Sequence, residues 1–174
     1  MMKLTKVLML GAAASLLSGC FALNNVRDIS FSPSDLPETA YEGYWAMSDD
    51  QGVNNTIKFN RDGTAKLYRF ECLSTKQYKE KAHESYRMGG VGNQTVNLYI
   101  THMSGENAAG MLAPMLIDHL TLRFDGTTEN GEMAQMTQLV GHQGTYTYAR
   151  LPSAKPICTN PRLEKKVQQK NQGK

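Results

Sequence analysis

The sequence predicts an all-β fold, a single antiparallel up-and-down barrel of about eight strands, and three observations predict it. Apolar residues recur at every second position through much of residues 43–151, which is the period of a half-buried strand. Turn chemistry interrupts that period at short intervals, at Arg61-Asp62-Gly63, Gly89-Gly90-Val91-Gly92-Asn93, Asp125-Gly126 and Gly141-His142-Gln143-Gly144. Gly and Asn supply the positive φ that tight hairpins need. The strand-bearing stretch is about 110 residues long, enough for one domain and not for two, and it contains no internal repeat.

The strands are taken in order. GYWAM (43–47) and NTIKFN (55–60) are short and flanked by polar turns. In TAKLYRFECL (64–73), Tyr68, Phe70 and Cys72 oppose Arg69 and Glu71. YKEKAHESYR (78–87) is almost wholly polar and reads as a strand or a short helix. In TVNLYITHM (95–103), Val96, Leu98, Ile100 and His102 share one face, with Thr95, Asn97 and Thr101 on the other. In LIDHLTLRF (116–124), Leu116, Leu120, Leu122 and Phe124 oppose His119, Thr121 and Arg123, with Asp118 on the apolar face. EMAQMTQLV (132–140) and TYTYARL (145–151) complete the set. Closing eight such strands removes exposed edges and leaves an interior able to hold one small ligand. Tyr68, Phe70, Leu98, Ile100, Leu122, Met136 and Tyr148 are the residues expected to line that interior and contact a ligand.

Ahead of the strands stands MMKLTKVLMLGAAASLLSG, with Lys3 and Lys6 before an apolar run from Val7 to Leu17. That run is too short to span a bilayer, which takes roughly 20 residues, and it suits an export signal. Leu17-Ser18-Gly19-Cys20 resembles a bacterial lipobox. The resemblance implies that residues 1–19 are a lipoprotein signal peptide and that Cys20 becomes the acylated first residue. Palmitate-type chains would then hold the protein to a membrane; two or three chains anchor firmly where one binds only marginally. Phe21 stands where many such lipoproteins retained in the inner membrane carry Asp, so the family's sorting pattern implies the outer membrane, with the leaflet open. Residues 20–40 show no sustained period and contain Pro33 and Pro37; they are expected to form a lipidated tether with one helical turn near 34–39.

Processing would change the charge. The full chain carries +3, which falls to +1 without Lys3 and Lys6. Residues 161–174 form a basic tail with five basic groups and one acid, expected to be disordered, and this leaves residues 21–160 at −3. A nucleic-acid binder carries its basic face on the fold, so no nucleic-acid partner is expected.

In an oxidising compartment the two remaining cysteines, Cys72 and Cys158, are expected to form a disulfide; two buried free thiols are the alternative. None of His83, His102, His119 and His142 stands at ligand spacing from another His or a Cys, so no metal or cofactor is expected. The chain has no G-x-S-x-G, H-E-x-x-H or P-loop motif, and it is not expected to be an enzyme.

Gly43-Tyr44-Trp45, opening the first strand after a Pro-containing turn, resembles the G-x-W signature of lipocalins. That resemblance implies an eight-stranded barrel of residues 41–160 whose Trp45 plugs the closed end, with Arg150 stacked across it as a barrel-plug pair. It also implies that a disulfide ties the C-terminal segment to the barrel wall. The second lipocalin motif, T-D-x-Y, is absent, and Trp45 could equally be the largest core residue of another barrel or a sandwich. Residues 104–115 form the longest connection and turn from polar to apolar, a candidate lid or a short packed helix. Three function classes follow: a module binding a small apolar or amphipathic ligand, a protein-binding envelope lipoprotein (inhibitor, immunity or assembly factor) without a cavity, or a structural envelope component with neither pocket nor discrete ligand.

Overall fold

In a computed structural model of the chain, residues 30–48, 54–105, 119–140 and 143–159 are described. Eight strands follow one another: β1 (Tyr44–Met47), β2 (Asn55–Phe59), β3 (Thr64–Cys72), β4 (Tyr78–Gly92), β5 (Thr95–Gly105), β6 (Leu120–Thr127), β7 (Met133–Val140) and β8 (Gly144–Leu151). Each pairs antiparallel with the next, and β1 pairs with β8, so the sheet closes into the barrel that the period of the sequence predicts. The closing seam sets Trp45 opposite Arg150 and Met47 opposite Tyr148.

Several local expectations change. The polar stretch beginning at Tyr78 is a strand of 15 residues. Ala82, Glu84, Tyr86 and Met88 are buried on one of its faces, and Lys, Glu and Arg outside that face account for its polar appearance. The glycine run 89–92 lies within β4, and the chain reverses at Asn93 and Gln94, with φ of 51° and 55°. Asp125-Gly126 is a register shift inside β6 rather than a hairpin. The reversal comes instead at residues 128–132, where the Thr128 and Gly131 amides donate to the Met133 and Thr128 carbonyls. The start expected for the sixth strand, residues 116–118, lies outside the described residues.

One end of the barrel is sealed by the segment before β1. Residues Pro33–Asp35 and Glu38–Tyr41 form 3-10 turns, the first capped by the Ser32 side chain. Leu36, Ala40 and Tyr41 are buried in the barrel's core cluster. The Trp45 indole N–H donates to the Ala40 carbonyl at 2.9 Å, and the Lys58 ammonium donates to the Tyr41 carbonyl at 2.7 Å. The Gly90 amide donates to the Ser30 carbonyl at 2.8 Å. Asp35 comes so close there that a Cβ on Gly90 would stand 2.1 Å from its Oδ2, so any larger residue would force the Asp35 carboxylate to move. Of the stretch assigned as a tether, residues 30–40 thus pack on the barrel.

A second segment runs along the outer wall. Ser48 bridges Ile157, the Thr56 hydroxyl donates to the Lys155 carbonyl at 2.8 Å, and Cys72 is bonded to Cys158 with Cα atoms 5.7 Å apart. Ala46 and Thr56, opposite one another on β1 and β2, are fully buried although they alternate with the inward-facing Trp45 and Ile57. The C-terminal segment is what covers them. The expected disulfide is present, and it ties that segment to β3. Replacing Cys72 and Cys158 together by Ser is expected to cost about 2–5 kcal/mol in urea unfolding, since the bond closes a loop with a sequence separation of 86. An unchanged midpoint would mean that the hydrogen bonds alone hold the segment.

Candidate ligand-binding interior

The inner wall is built by alternation. At the sealed end Trp45 is wholly buried and meets Phe124 edge-on, ring centroids 5.7 Å apart; Phe59, Ala65, Met88 and Val96 belong to the same core cluster. Further along, Leu98, Leu122, Met136 and Tyr148, four of the seven residues expected to line the interior, join that cluster, and Ile100 packs against it partly buried. The cause is register: Leu98 faces Met88 and Leu120, while Tyr148 faces Met47 and Ala134.

Tyr68 and Phe70 do not line the interior. Leu67 belongs to the core cluster, so Tyr68, its neighbour along the strand, points outward. Its ring packs with Tyr44 at 6.2 Å, Phe70 at 6.4 Å and His83 at 6.0 Å, and Phe70 meets Tyr78 edge-on at 5.6 Å. A register shift in the β3–β4 ladder between Arg69 and Phe70 keeps these rings together as a strip on the outer wall. The face-sharing expected of His102 also fails. The ladder shifts between Ser85 and Tyr86, so Thr101 is skipped and His102 falls opposite Ser85, exposed.

The inward place beside Leu67 goes to Arg69, although period two alone sets Arg69 on the face opposite Tyr68 and Phe70. Its Nε donates to Glu84 Oε1 at 2.9 Å, and its Nη2 reaches Oε2 at 3.4 Å. Glu84 is 2% exposed, whereas 34% of the Arg69 side chain stays accessible. The buried Tyr86 hydroxyl donates to Glu84 Oε2. Burial first, and then the adjacent Glu84 charge and hydrogen bond, push the Tyr86 phenol well above its ordinary value, so it stays a neutral donor; burial also raises Tyr148. A signal for this set was present in the sequence: Glu84 stands in period with Ala82, Tyr86 and Met88, and Arg69 with Ala65 and Leu67. A buried ion pair commonly stabilises no better than apolar residues of equal volume, so its presence inside a barrel marks a candidate site.

At the sealed end Arg150 does not stack across Trp45. Its guanidinium pairs with Glu42, and the indole takes Phe124 and the Ala40 carbonyl instead. Cys20, residues 106–115 of the long connection and the basic tail lie outside the described residues. On the outer wall an open cleft of about 290 Å³ is lined by Asp125, Gly126, Gln135 and Thr147 among others, with no converging catalytic groups. Among the described residues no three His, Cys, Asp or Glu side chains are grouped to hold a metal ion.

No family model, curated protein or solved structure matches this chain. The barrel is therefore assigned from its own strand ladder, and the likeness to lipocalins rests on Gly43, Tyr44 and Trp45.

Arg69→Met alone is expected to lose about 2–4 kcal/mol, because Glu84 is left buried without its counter-ion; the partial exposure of Arg69 keeps the loss below that of a wholly buried pair. Arg69→Met combined with Glu84→Gln should recover most of it, since the amide still accepts from Tyr86. Equal losses in the single and double variants, measured by chemical unfolding, would contradict the pair's role.

Proposed function

We propose that this chain is a lipid-anchored lipoprotein of the bacterial outer membrane whose lipocalin-like barrel holds a small apolar or amphipathic ligand. One observation carries the binding part: the closed barrel has an apolar interior, sealed at one end by Trp45 and residues 30–41, with one partly accessible polar set farther along it. Such a lining, mostly apolar with few placed polar groups, is how small-molecule sites are commonly built. The anchor part is supported by the lipobox resemblance at Leu17–Cys20. Binding rather than catalysis is the proposed role, and no cofactor is invoked.

A second reading, a protein-binding envelope lipoprotein, is favoured by the outer strip of Tyr44, Tyr68, Phe70 and Tyr78, because aromatic side chains are enriched where proteins meet. Of these, Tyr78 is 46% exposed, Tyr44 and Tyr68 are half-buried, and Phe70 is buried.

The two readings separate in one purification. Residues 21–174, exported behind an ordinary signal peptide, are expected to leave the membrane fraction and to carry a near-stoichiometric amphipath visible by mass spectrometry. The full chain should take up labelled palmitate, and Cys20→Ser should abolish that uptake. A barrel that is repeatedly empty, binds no apolar fluorescent probe and co-purifies with a stoichiometric protein would replace the first reading by the second.

A further inference from the structure

The ion pair inside the barrel carries information about which ligand it admits. Arg69 engages one carboxylate with two of its nitrogens, and a guanidinium has five N–H donors, so donors remain on a side chain that is about one-third accessible. The charge, by contrast, is already balanced. Glu84 lies within hydrogen-bond distance of Arg69, is itself buried, and is held in place a second time by the Tyr86 hydroxyl. The neighbouring inward positions are Asn55 and Ala82, which face Arg69, Leu67 on its own strand, and Met103, which faces Glu84. These four carry no charge, and Glu71, two residues beyond Arg69 on the same strand, is balanced by Lys81 at 3.3 Å.

An anionic head group approaching Arg69 would surrender its hydration, at an effective cost of several kcal/mol. It would meet a cation and an anion at similar range, so the attraction of Arg69 would be largely offset by the repulsion of Glu84. An uncharged ester, amide or hydroxyl gives up far less hydration and can still accept from the remaining N–H groups. We infer that the Arg69–Glu84–Tyr86 set makes the barrel selective for uncharged amphipaths with a hydrogen-bond-accepting head over free carboxylates of the same chain length. Glu84 is the element that rejects the acid, and Arg69 the donor that holds the neutral head. This deepens the ligand-binding reading and depends on it.

The test uses the processed full chain in nanodiscs, with protein-free nanodiscs subtracting partition into lipid. The probes are monodecanoylglycerol and decanoate at neutral pH. The wild-type protein is expected to bind the monoglyceride at least about tenfold tighter, a difference of about 1.4 kcal/mol. Glu84→Gln, which keeps an acceptor for Tyr86 and removes the negative charge, should shrink or invert that ratio. Arg69→Gln should weaken the monoglyceride. Decanoate binding as tightly as the monoglyceride to the wild-type protein would overturn the inference while leaving the binding reading intact. A ratio unchanged in a folded Glu84→Gln variant would overturn it too, and if that variant fails to fold the wild-type ratio still decides. Failure of both probes to bind would overturn the binding reading and this inference with it.

Discussion

Closure of the sheet at the β1–β8 seam, with the indole of Trp45 set into the end that it closes, is the constraint on which the rest depends. β1 has only four residues, yet it completes two ladders, to β2 and to β8. A strand that short contributes few hydrogen bonds, so its hold comes from the side chains it places inside. Burying an aromatic ring of this size is worth several kcal/mol, and truncating one in a core typically costs about 3–5. The indole also fixes the segment ahead of the strand, because its N–H is satisfied by the Ala40 carbonyl rather than by anything within the sheet. Without that segment the N–H would be a buried orphan. Barrel and plug therefore stabilise one another.

The sealed end and the ion pair divide the interior by chemistry. Around Trp45 the lining is apolar and needs no partner beyond close packing. Farther along, Arg69, Glu84 and Tyr86 form a set in which each buried polar atom has a partner, the condition under which charge is tolerated inside a fold. The outer wall follows a different logic. The C-terminal segment and its disulfide cover Ala46 and Thr56, while Tyr44, Tyr68, Phe70 and Tyr78 stay together beside the covered region. One wall thus carries two surfaces, one that the chain covers itself and one that it leaves partly accessible.

Much of this was legible in the sequence, because period two is a property of the chain alone. The period identified the strand class, and the plug role of Trp45 came from the resemblance of Gly43-Tyr44-Trp45 to the lipocalin signature, with a plain core residue as the equal alternative. Cys158 could be paired with Cys72 because, on the expectation that Cys20 carries acyl chains, those two are the cysteines that remain. What the sequence concealed was which face points in. In β3 both faces carry large side chains, and Tyr68 and Phe70 look more apolar than Arg69. The inward place of Arg69 becomes sensible only once Glu84, 15 residues away, is known to face it. Phase was lost again where a ladder slips by one residue, as at Thr101, since a slip turns every later side chain over. The glycines of β4 resembled a turn for a related reason: Gly90 makes room for the Asp35 carboxylate, a contact between segments remote in sequence. Arg150 was expected to stack across Trp45; it stands opposite Trp45 on the closing seam, but its guanidinium pairs with Glu42.

The central claim is that the barrel is closed and stoppered at one end by Trp45 together with residues 30–41. Because the chain has a single tryptophan, its indole N–H gives one unambiguous resonance, and native-state hydrogen exchange at that proton tests the claim directly. The account predicts exchange as slow as that of the most protected strand amides, so that the proton is released only when the whole barrel unfolds. Rapid exchange of the indole proton while the β1 and β8 amides stay protected would show that the end is open and would contradict it.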